Sequence, residues 1–396
     1  MDWLCEAFNV PIEAQTGVQF RLLTNEVYHG IVQGQEHPEE QLEKNTEYEG
    51  IYQDQEYPEE QLETDTECEG IYQNQEHSEE LSVWTLFKRE LNYFNQLDKL
   101  KIKWTAVGQL LIPTIIAFYG GFNYLYCVSL YTFVFITFWG VSAGIGITMG
   151  AHRYSSHKSF KAAWPVRVVC MLMNSAAFME SLILWPHYHR VHHKWSDTDR
   201  DVTNSLRGLL FAHVGWKMHE EHPEVSVGRS LICIEDLTKD PVVVFQHKYY
   251  YWLSVPMAFI IPSLVPWLFW EEILERSISV CFFSLFLVHN FTFCVNSVAH
   301  MFGYRPHDVT TYTFDNGIVQ VMALGEGHHN FHHTHPYDYR ASEHSGRIGS
   351  LTTIVIEALA KLGLVWDLKV VTEEHIIARK VRTGDLSNAV PVDPMH

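Results

Sequence analysis

The 48 residues from Trp104 to Ala151 contain no Asp, Glu, Lys, Arg or His. A helix that crosses the hydrocarbon core of a membrane needs about 20 apolar residues, so this run is long enough for two spans. Glycine and asparagine favour turns, and we expect the turn between the spans at Gly120, Gly121 and Asn123. The run therefore predicts a helical hairpin inside a membrane.

A second apolar pair follows later in the chain. Residues 252–270 are uncharged, the linker EEILER comes next, and residues 277–299 contain no Asp, Glu, Lys or Arg and one histidine, His289. The sequence therefore predicts an all-α integral membrane protein with four transmembrane helices in two hairpins, at about residues 104–121, 123–151, 252–270 and 277–300.

Lysine and arginine residues cluster on one side of the expected hairpins. They precede the first span and follow the second: Lys88, Arg89, Lys99, Lys101, Lys103, then Arg153, Lys158, Lys161 and Arg167. The positive-inside rule predicts that both termini and residues 152–251 are cytosolic. The first residues lack a basic start followed by an apolar core, so we expect no secretory signal and expect the first span to direct the chain to the membrane.

The stretch from Val166 to Trp185 is also apolar and is interrupted only by Arg167 and Glu180. If it crossed the membrane, the histidines on its two sides would face opposite compartments. We therefore expect a helix that lies at the membrane interface or is buried in a cytosolic cap.

Residues 1–81 form an acidic N-terminal extension. A 20-residue repeat begins at Gly30, Gly50 and Gly70, and residues 30–80 hold 17 acidic side chains against one basic side chain. The repeats have too few apolar residues to bury a face, so we predict disorder, with an acidic docking arm for a basic partner as the alternative. The rest of the chain has no broad basic surface, which argues against nucleic-acid binding.

Three histidine-rich motifs follow the apolar segments: HRYSSH from His152, HRVHH from His189 and HNFHH from His329. Residues three and four apart share a helix face, so we expect each HxxHH motif to present three imidazoles toward one point. VNSVAH adds Asn296 and His300, one helical turn apart. Four spans would bring all of them to one membrane surface, and the candidate metal ligands are His152, His157, His189, His192, His193, His300, His329, His332 and His333.

Imidazole binds iron, copper, zinc and nickel, so the ligand type leaves the metal open. Nine nitrogen ligands exceed one coordination shell and favour two ions. Carboxylates often orient ligand imidazoles, and Asp197, Asp201 and Glu326 are candidates for this role by proximity, with Asn296 beside His300. His289 is interpreted as a buried neutral residue, and seven other histidines as ordinary core or surface residues: His37, His77, His213, His222, His247, His344 and His396.

At these residues the sequence resembles the membrane fatty acyl-CoA desaturases, in the stearoyl-CoA or first-desaturase branch that includes the insect enzymes. The matching motifs are GITMGAHRYSSHKSFKA, HRVHHKWSDTD, VNSVAHMFGYRP, GEGHHNFHHTHPYDYRASE and RTGD. The resemblance assigns residues 82–385 to a desaturase domain and leaves 386–396 as a tail. It implies a mushroom-shaped enzyme whose cytosolic cap holds two iron ions (Fe2+) above a tunnel for an acyl chain.

The resemblance also implies a reaction. The enzyme would use O2 and two electrons to place a cis double bond in a saturated acyl-CoA, of Delta-9 or Delta-11 type. Electrons would come from cytochrome b5 and its NAD(P)H-dependent reductase, and the lack of an HPGG haem-binding motif predicts that this cytochrome is a separate partner. The acyl-CoA and membrane lipid are the other expected partners, and the expected location is the endoplasmic reticulum membrane.

The same resemblance suggests which residues shape the tunnel. Trp185 and Thr292 are expected to line it. Gly140 and Gly144 stand where bulkier family residues close its far end, so they are expected to lengthen it. Close packing of helices is the alternative role of the two glycines.

The chain departs from the family around the expected CoA site. His187 and Tyr188 replace an Arg-Asp or Arg-Glu pair, Met179 and Glu180 replace Gln-Asn, and Glu220 and Glu221 replace basic residues. Acidic side chains near a polyphosphate predict weaker CoA binding at low salt.

Two other functions share these features. A histidine-box membrane hydroxylase would have the same ligands but would add oxygen to carbon. A non-catalytic or weakly active relative would fit the altered CoA region and the acidic extension. The order of the motifs and the sequence GEGHHNFHH favour desaturation.

Overall fold

The computed structural model describes residues 82–96, 101–343 and 349–385. The acidic extension 1–81 and the tail 386–396 lie outside the described residues, so the predictions made for them stay predictions. The described ranges are mostly helical.

The helices, in chain order, are α1 (Val83–Gln96), α2 (Trp104–Tyr126), α3 (Leu130–Ile145), α4 (Trp164–Ala177), α5 (Leu184–Lys194), α6 (Trp216–Met218), α7 (Pro223–Ser230), α8 (Glu235–Lys239), α9 (Pro241–Lys248), α10 (Tyr250–Val255), α11 (Ile261–Trp270), α12 (Leu274–Asn296), α13 (Gly317–Met322), α14 (His329–Thr334), α15 (Leu351–Lys361) and α16 (Glu373–Thr383). Three segments are π-helical: Gly146–Ser156, Phe211–Gly215 and Pro256–Ile260. Short 3-10 helices cover Ser205–Arg207 and Val298–His300, and the strands are β1 (Lys161–Ala162) and β2 (Val365–Trp366).

Four helical segments are long and apolar enough to cross a membrane, which confirms the expected number of spans. They are called spans 1 to 4: Trp104–Tyr126, Leu130–Ser156, Tyr250–Trp270 and Leu274–His300. Span 4 packs along spans 1, 2 and 3. The chain is thus a multi-pass membrane protein. The described residues outside the four spans are called the cap.

The turn inside the first hairpin is not where we predicted it. Span 1 continues past Gly120 and Asn123, and the turn comes at residues 127–129. A Cβ atom at Gly120 would lie 1.9 Å from the Ser279 carbonyl oxygen of span 4. Asn123 Nδ2 donates a hydrogen bond to Ser279 Oγ at 2.9 Å. The small residues therefore allow two spans to pack closely, and they do not form the turn.

The apolar stretch 166–185 does not form a spanning helix, as we expected. Its first part belongs to α4, a helix of 14 residues and ~21 Å, which is too short to span a membrane. The backbone leaves the helix at Phe178 and Glu180, where φ is 52° and 70°. Val166 and Met171 of α4 are buried in two separate clusters of the apolar core.

Residues of the cap that follow span 4 in sequence pack against the π-helical end of span 2. β1 pairs antiparallel with β2, which places Lys161 opposite Trp366. One apolar cluster contains Met149 of the π-helix together with Phe160, Tyr339 and Ile356, all of them buried. Residues from distant parts of the sequence therefore fix the segment that carries His152.

Candidate metal centre

Span 2 ends in eleven residues of π-helix, and this geometry brings His152 and His157 together. Hydrogen bonds in a π-helix join residues five apart, and the His157 N–H donates to the His152 carbonyl at 3.2 Å. In an α-helix, side chains five residues apart would point about 140° away from each other. Here the two ring centroids are 4.9 Å apart. The HRYSSH spacing therefore suits a π-helix, a helix type that was not predicted from the sequence.

The two HxxHH motifs lie on short helices, α5 and α14, and each motif divides between two groups. His189 and His193 of α5 belong to one group, and His192 belongs to the other. In α14, His329 and His333 share one group, and His332 belongs to the other. The expectation that each motif converges on one point was wrong, because positions i+3 and i+4 of a helix differ by about 100°.

All nine candidate histidines lie in these two groups, which we call the five-histidine set and the four-histidine set. The five-histidine set is His152, His157, His189, His193 and His332, and the four-histidine set is His192, His300, His329 and His333. Within each set the ligand atoms lie within 4.8 Å of one another. The sets adjoin, since the His193 and His333 rings stack at a centroid distance of 4.1 Å.

Several pairs of Nε2 atoms face each other at short range. Nε2 of His152 lies 2.8 Å from Nε2 of His332 in the five-histidine set, and Nε2 of His300 lies 3.0 Å from Nε2 of His329 in the four-histidine set. Nitrogens that lie this close together could bind the same ion, and each set would then supply several imidazole ligands.

Three carboxylates fix the orientation of one ring each. Glu326 Oε2 lies 2.9 Å from His152 Nδ1, Asp201 Oδ2 lies 2.9 Å from His192 Nδ1, and Asp197 Oδ2 lies 3.0 Å from His300 Nδ1. A carboxylate on Nδ1 keeps the proton there and leaves Nε2 with a free lone pair for a metal. The structure therefore brings all three carboxylates suggested by the sequence to the two histidine sets.

Two buried arginines hold this arrangement, and neither role was predicted from the sequence. Arg153 donates to Glu326 Oε1 from Nε and Nη2 at 3.0 and 2.9 Å. Arg190 donates to both oxygens of Asp236 at 2.8 and 2.6 Å and to the Ser155 carbonyl at 2.7 Å. Each arginine directly follows the first histidine of its motif. That position beside a candidate ligand was the sequence feature from which a role at the site could have been inferred. Arg190 thereby joins α5 to the end of the π-helix.

The charges of the site keep most ligand nitrogens unprotonated. Burial, followed by repulsion from neighbouring imidazoles, lowers the pKa well below the ordinary value in His157, His189, His193, His329, His332 and His333. Burial also opposes protonation of His192, but the Asp201 carboxylate outweighs it and raises the His192 pKa. Burial would raise the Glu326 pKa, whereas Arg153 and His152 lower it. Neutral imidazole is the form that binds metal.

These residues fit a metal site. The donors of both sets are imidazole nitrogens, and His192 Nε2 is buried with no hydrogen-bond partner among the described residues. A buried nitrogen without a partner costs free energy, which a bound ion would offset. The geometry is therefore compatible with metal binding at both sets.

Comparisons with known proteins agree with this geometry. The family model described as Fatty acid desaturase matches residues 128–366. A stearoyl-CoA desaturase of Bos taurus is 40% identical over 290 residues, which cover 73% of this chain and 80% of the bovine protein. The chain belongs to the fatty acid desaturase family.

Two further relatives give similar figures. The stearoyl-CoA desaturase of Homo sapiens is 41% identical over 288 residues, with 72% of this chain and 80% of the human protein covered. The Delta(9)-fatty-acid desaturase fat-7 of Caenorhabditis elegans is 41% identical over 288 residues, with 72% and 85% covered.

In this desaturase family member, apolar residues lead from the histidines into the spans. The Trp185 ring stacks on His189 at 5.0 Å and 14°. Trp185 also packs on a buried cluster of Ala143, Ile147, Ala176, Ala177, Met179 and Phe293, together with Trp139, Trp216, Met257 and Val288. A narrow apolar gap shares four of these residues and continues to Gly140, Cys281 and Ser284. We call this continuous set of residues the apolar path.

The other expected tunnel and site residues differ in their positions. Gly140 lines the gap and also packs against span 4, since a Cβ atom there would meet Ser284 Oγ. A Cβ atom at Gly144 would lie 2.8 Å from Leu324 Cδ1, so Gly144 packs against the cap. Thr292 donates to the Val288 carbonyl within span 4, and it does not line the gap. The Asn296 side chain makes no hydrogen bond within the part of the chain that the structure describes.

Two of the three acidic departures from the family pattern, Glu220 and Glu221, have basic partners within the chain. Glu220 lies 3.4 Å from Lys101, just before span 1. Glu221 lies 2.9 Å from Arg229 and accepts a hydrogen bond from the Tyr188 hydroxyl at 2.7 Å. The expected CoA region is therefore less acidic than the sequence suggested, because local ion pairs compensate both glutamates.

Proposed function

We propose that this chain is an O2-dependent acyl-CoA desaturase that places a cis double bond in a saturated fatty acyl chain, of Delta-9 or Delta-11 type. One observation carries the proposal: histidine sets of five and four residues, backed by carboxylates, adjoin an apolar path that enters the spans. The stearoyl-CoA and Delta(9) names of the relatives support an acyl-CoA substrate and an oxidoreductase activity.

We infer that the two ions are Fe2+. When bound, iron would supply the oxidising power needed to remove hydrogen from unactivated methylenes. The chain's own residues have three tasks. The nine histidines would bind the ions, the three carboxylates orient the rings, and Trp185 covers His189 on the side of the apolar path. Asn296 is proposed to serve the site as a neighbour of His300.

The proposal extends to partners and location. Electrons would come from cytochrome b5 and its NAD(P)H-dependent reductase, and membrane lipid would surround the spans. We propose the endoplasmic reticulum membrane, with both termini and the histidines on the cytosolic side. Basic residues that precede span 1 and follow span 2, where span 2 carries His152, support this orientation.

Expression in a desaturase-deficient yeast, followed by gas chromatography of its lipids, tests the function. The wild-type chain should restore monounsaturated chains, whereas His192→Ala and His332→Ala should remove all activity and leave the protein in the membrane. His375→Ala is the matched control, because this exposed histidine belongs to neither set. Hydroxylated products would favour the hydroxylase alternative. Unchanged lipids despite membrane expression would contradict any catalytic role.

A further inference from the structure

Lys217 places a positive charge on the apolar path. It lies on α6, between the end of a π-helix and the segment that pairs with the residues before span 1. Lys217 Nζ is 4.4 Å from the ring centroid of Trp216 and 5.8 Å from that of Phe293. Both aromatic residues belong to the apolar path. The ammonium group therefore contacts the surface along which an acyl chain would lie.

This ammonium group has no anionic partner in contact. Among the described residues, no carboxylate lies within 4.0 Å of Lys217 Nζ. Glu220 and Glu221 are engaged by Lys101 and Arg229. Burial lowers the pKa of Lys217, because the charged ammonium group loses favourable contact with water. Contact with aromatic faces offsets only part of that cost.

Glu180 is the carboxylate whose charge acts on Lys217. Its backbone N–H donates to the Tyr250 hydroxyl at 3.1 Å, and its side chain makes no hydrogen bond within the described residues. Lys217 and Glu180 thus lie close enough to interact through charge but do not form an ion pair. That separation leaves the ammonium group available to a ligand oxygen.

We propose that Lys217 binds the C1 oxygen of the acyl substrate. This inference rests on the proposed function. The gap at Gly140 and Ser284 is one end of the apolar path, and Trp216 with Lys217 is at another edge of it. A fatty acyl chain has one polar end, a carboxylate or a thioester carbonyl. The Lys217 ammonium group binds that end, and the methylenes extend along Trp185 past the histidines.

The proposal predicts a dependence on the carbonyl oxygen itself. Stearoyl-CoA has this oxygen, and S-octadecyl-CoA has the same chain and CoA but lacks it. A hydrogen bond from a charged donor is typically worth about tenfold or more in affinity. Purified wild-type protein should bind stearoyl-CoA about tenfold tighter than S-octadecyl-CoA, as measured by titration calorimetry in detergent. In Lys217→Met the two ligands should bind equally.

Lys248→Met is the matched control, since Lys248 Nζ lies 5.3 Å from the Tyr249 ring but is exposed and outside the apolar path. This variant should keep the wild-type preference for stearoyl-CoA. Retained S-octadecyl-CoA binding in Lys217→Met would show that the variant is folded. Glu180→Gln should leave stearoyl-CoA binding unchanged or tighter, because it removes a competing charge.

Three results would overturn the inference. If Lys217→Met keeps the preference for the thioester, Lys217 does not bind the carbonyl. If Glu180→Gln weakens stearoyl-CoA binding as much as Lys217→Met does, the partner of Lys217 is Glu180. If the wild-type protein binds neither CoA ligand, the proposed substrate class fails and this inference fails with it, whereas the first two results leave the proposed function intact.

Discussion

Each of the two histidine sets is oriented by side chains that do not belong to it. Asp201 accepts from His192 Nδ1 and is itself held by the N–H groups of Asp197 and Thr203, both at 2.9 Å. Asp197 has a positive φ of 58°, which costs free energy in a residue other than glycine. The surrounding hydrogen bonds offset this strain and place the Asp197 carboxylate on His300.

The first prediction concerns Asp201→Asn. The amide cannot provide the charge that keeps the His192 Nδ1 proton in place, so metal affinity should fall by about 10- to 100-fold. Iron retained after dialysis against a chelator measures the effect. Asp199→Asn is the control, because Asp199 pairs with Arg207 at the surface. Equal iron retention in the two variants would contradict the orienting role of Asp201.

The second prediction concerns pH. Six ligand histidines have a pKa well below the unfolded value of about 6.5, so below that pH the unfolded chain binds more protons than the folded one. The free energy of unfolding of the metal-free protein should therefore fall as the pH decreases. The single raised pKa, that of His192, opposes this trend and is outweighed.

The unfolding temperature of metal-free protein in detergent should be lower at about pH 5.5 than at about pH 7.5. A variant in which His333, one of the six, is replaced by Ala should show a smaller difference. An unfolding temperature that does not fall at the lower pH would contradict the low pKa values of these histidines.

At the scale of elements, the π-helix at the end of span 2 depends on close packing with α4. A Cβ atom at Gly146 would lie 2.2 Å from the Asn174 backbone nitrogen. Backbone cannot rotate away as a flexible side chain can. The glycine therefore lets α4 approach the segment that carries His152 and His157, and the position of this segment sets the geometry of the five-histidine set.

Gly146→Ala should lower the free energy of unfolding by about 1–3 kcal/mol, as overpacking of a core does. It should also reduce iron binding, since the π-helix must shift. Gly108→Ala is the control, because a Cβ atom there meets nothing within 4 Å. Thermal unfolding and iron content measure both effects. Normal values for Gly146→Ala would show that the helix contact does not control the site.

Two glycines of span 2 make a matched pair for acyl chain length. Gly140 lines the gap at the far part of the apolar path, whereas Gly144 packs against Leu324. Both substitutions would meet a neighbouring side chain and should lower stability, but only Gly140→Val should shift the products toward shorter chains. Gas chromatography of products from a mixture of chain lengths measures the preference. A shift caused by Gly144→Val and not by Gly140→Val would contradict the path as we describe it.

At the scale of the whole molecule, the sequence predicted the parts that rest on composition and left out those that rest on long-range packing. Four spans and nine histidines followed from runs of uncharged residues and repeated motifs. The packing role of Gly120 could not be predicted, because the backbone that it contacts belongs to Ser279, far along the chain. Likewise, Arg153 and Arg190 reach partners that only folding brings near.

The division of the HxxHH motifs shows the same limit. Helix periodicity places His189, His192 and His193 on neighbouring faces, but it does not tell which ion each ring would meet. That choice depends on where His300 and His332 arrive from other elements. The two sets are therefore a property of the assembled spans and cap.

The central claim is that nine histidines from distant parts of the chain bind two iron ions. The most direct test is the iron content of purified protein reconstituted with Fe2+ without oxygen. We predict about two iron ions per chain, and about one in His300→Ala, which removes a ligand of the four-histidine set alone. No bound iron in the wild-type protein, or unchanged iron content in His300→Ala, would contradict the account.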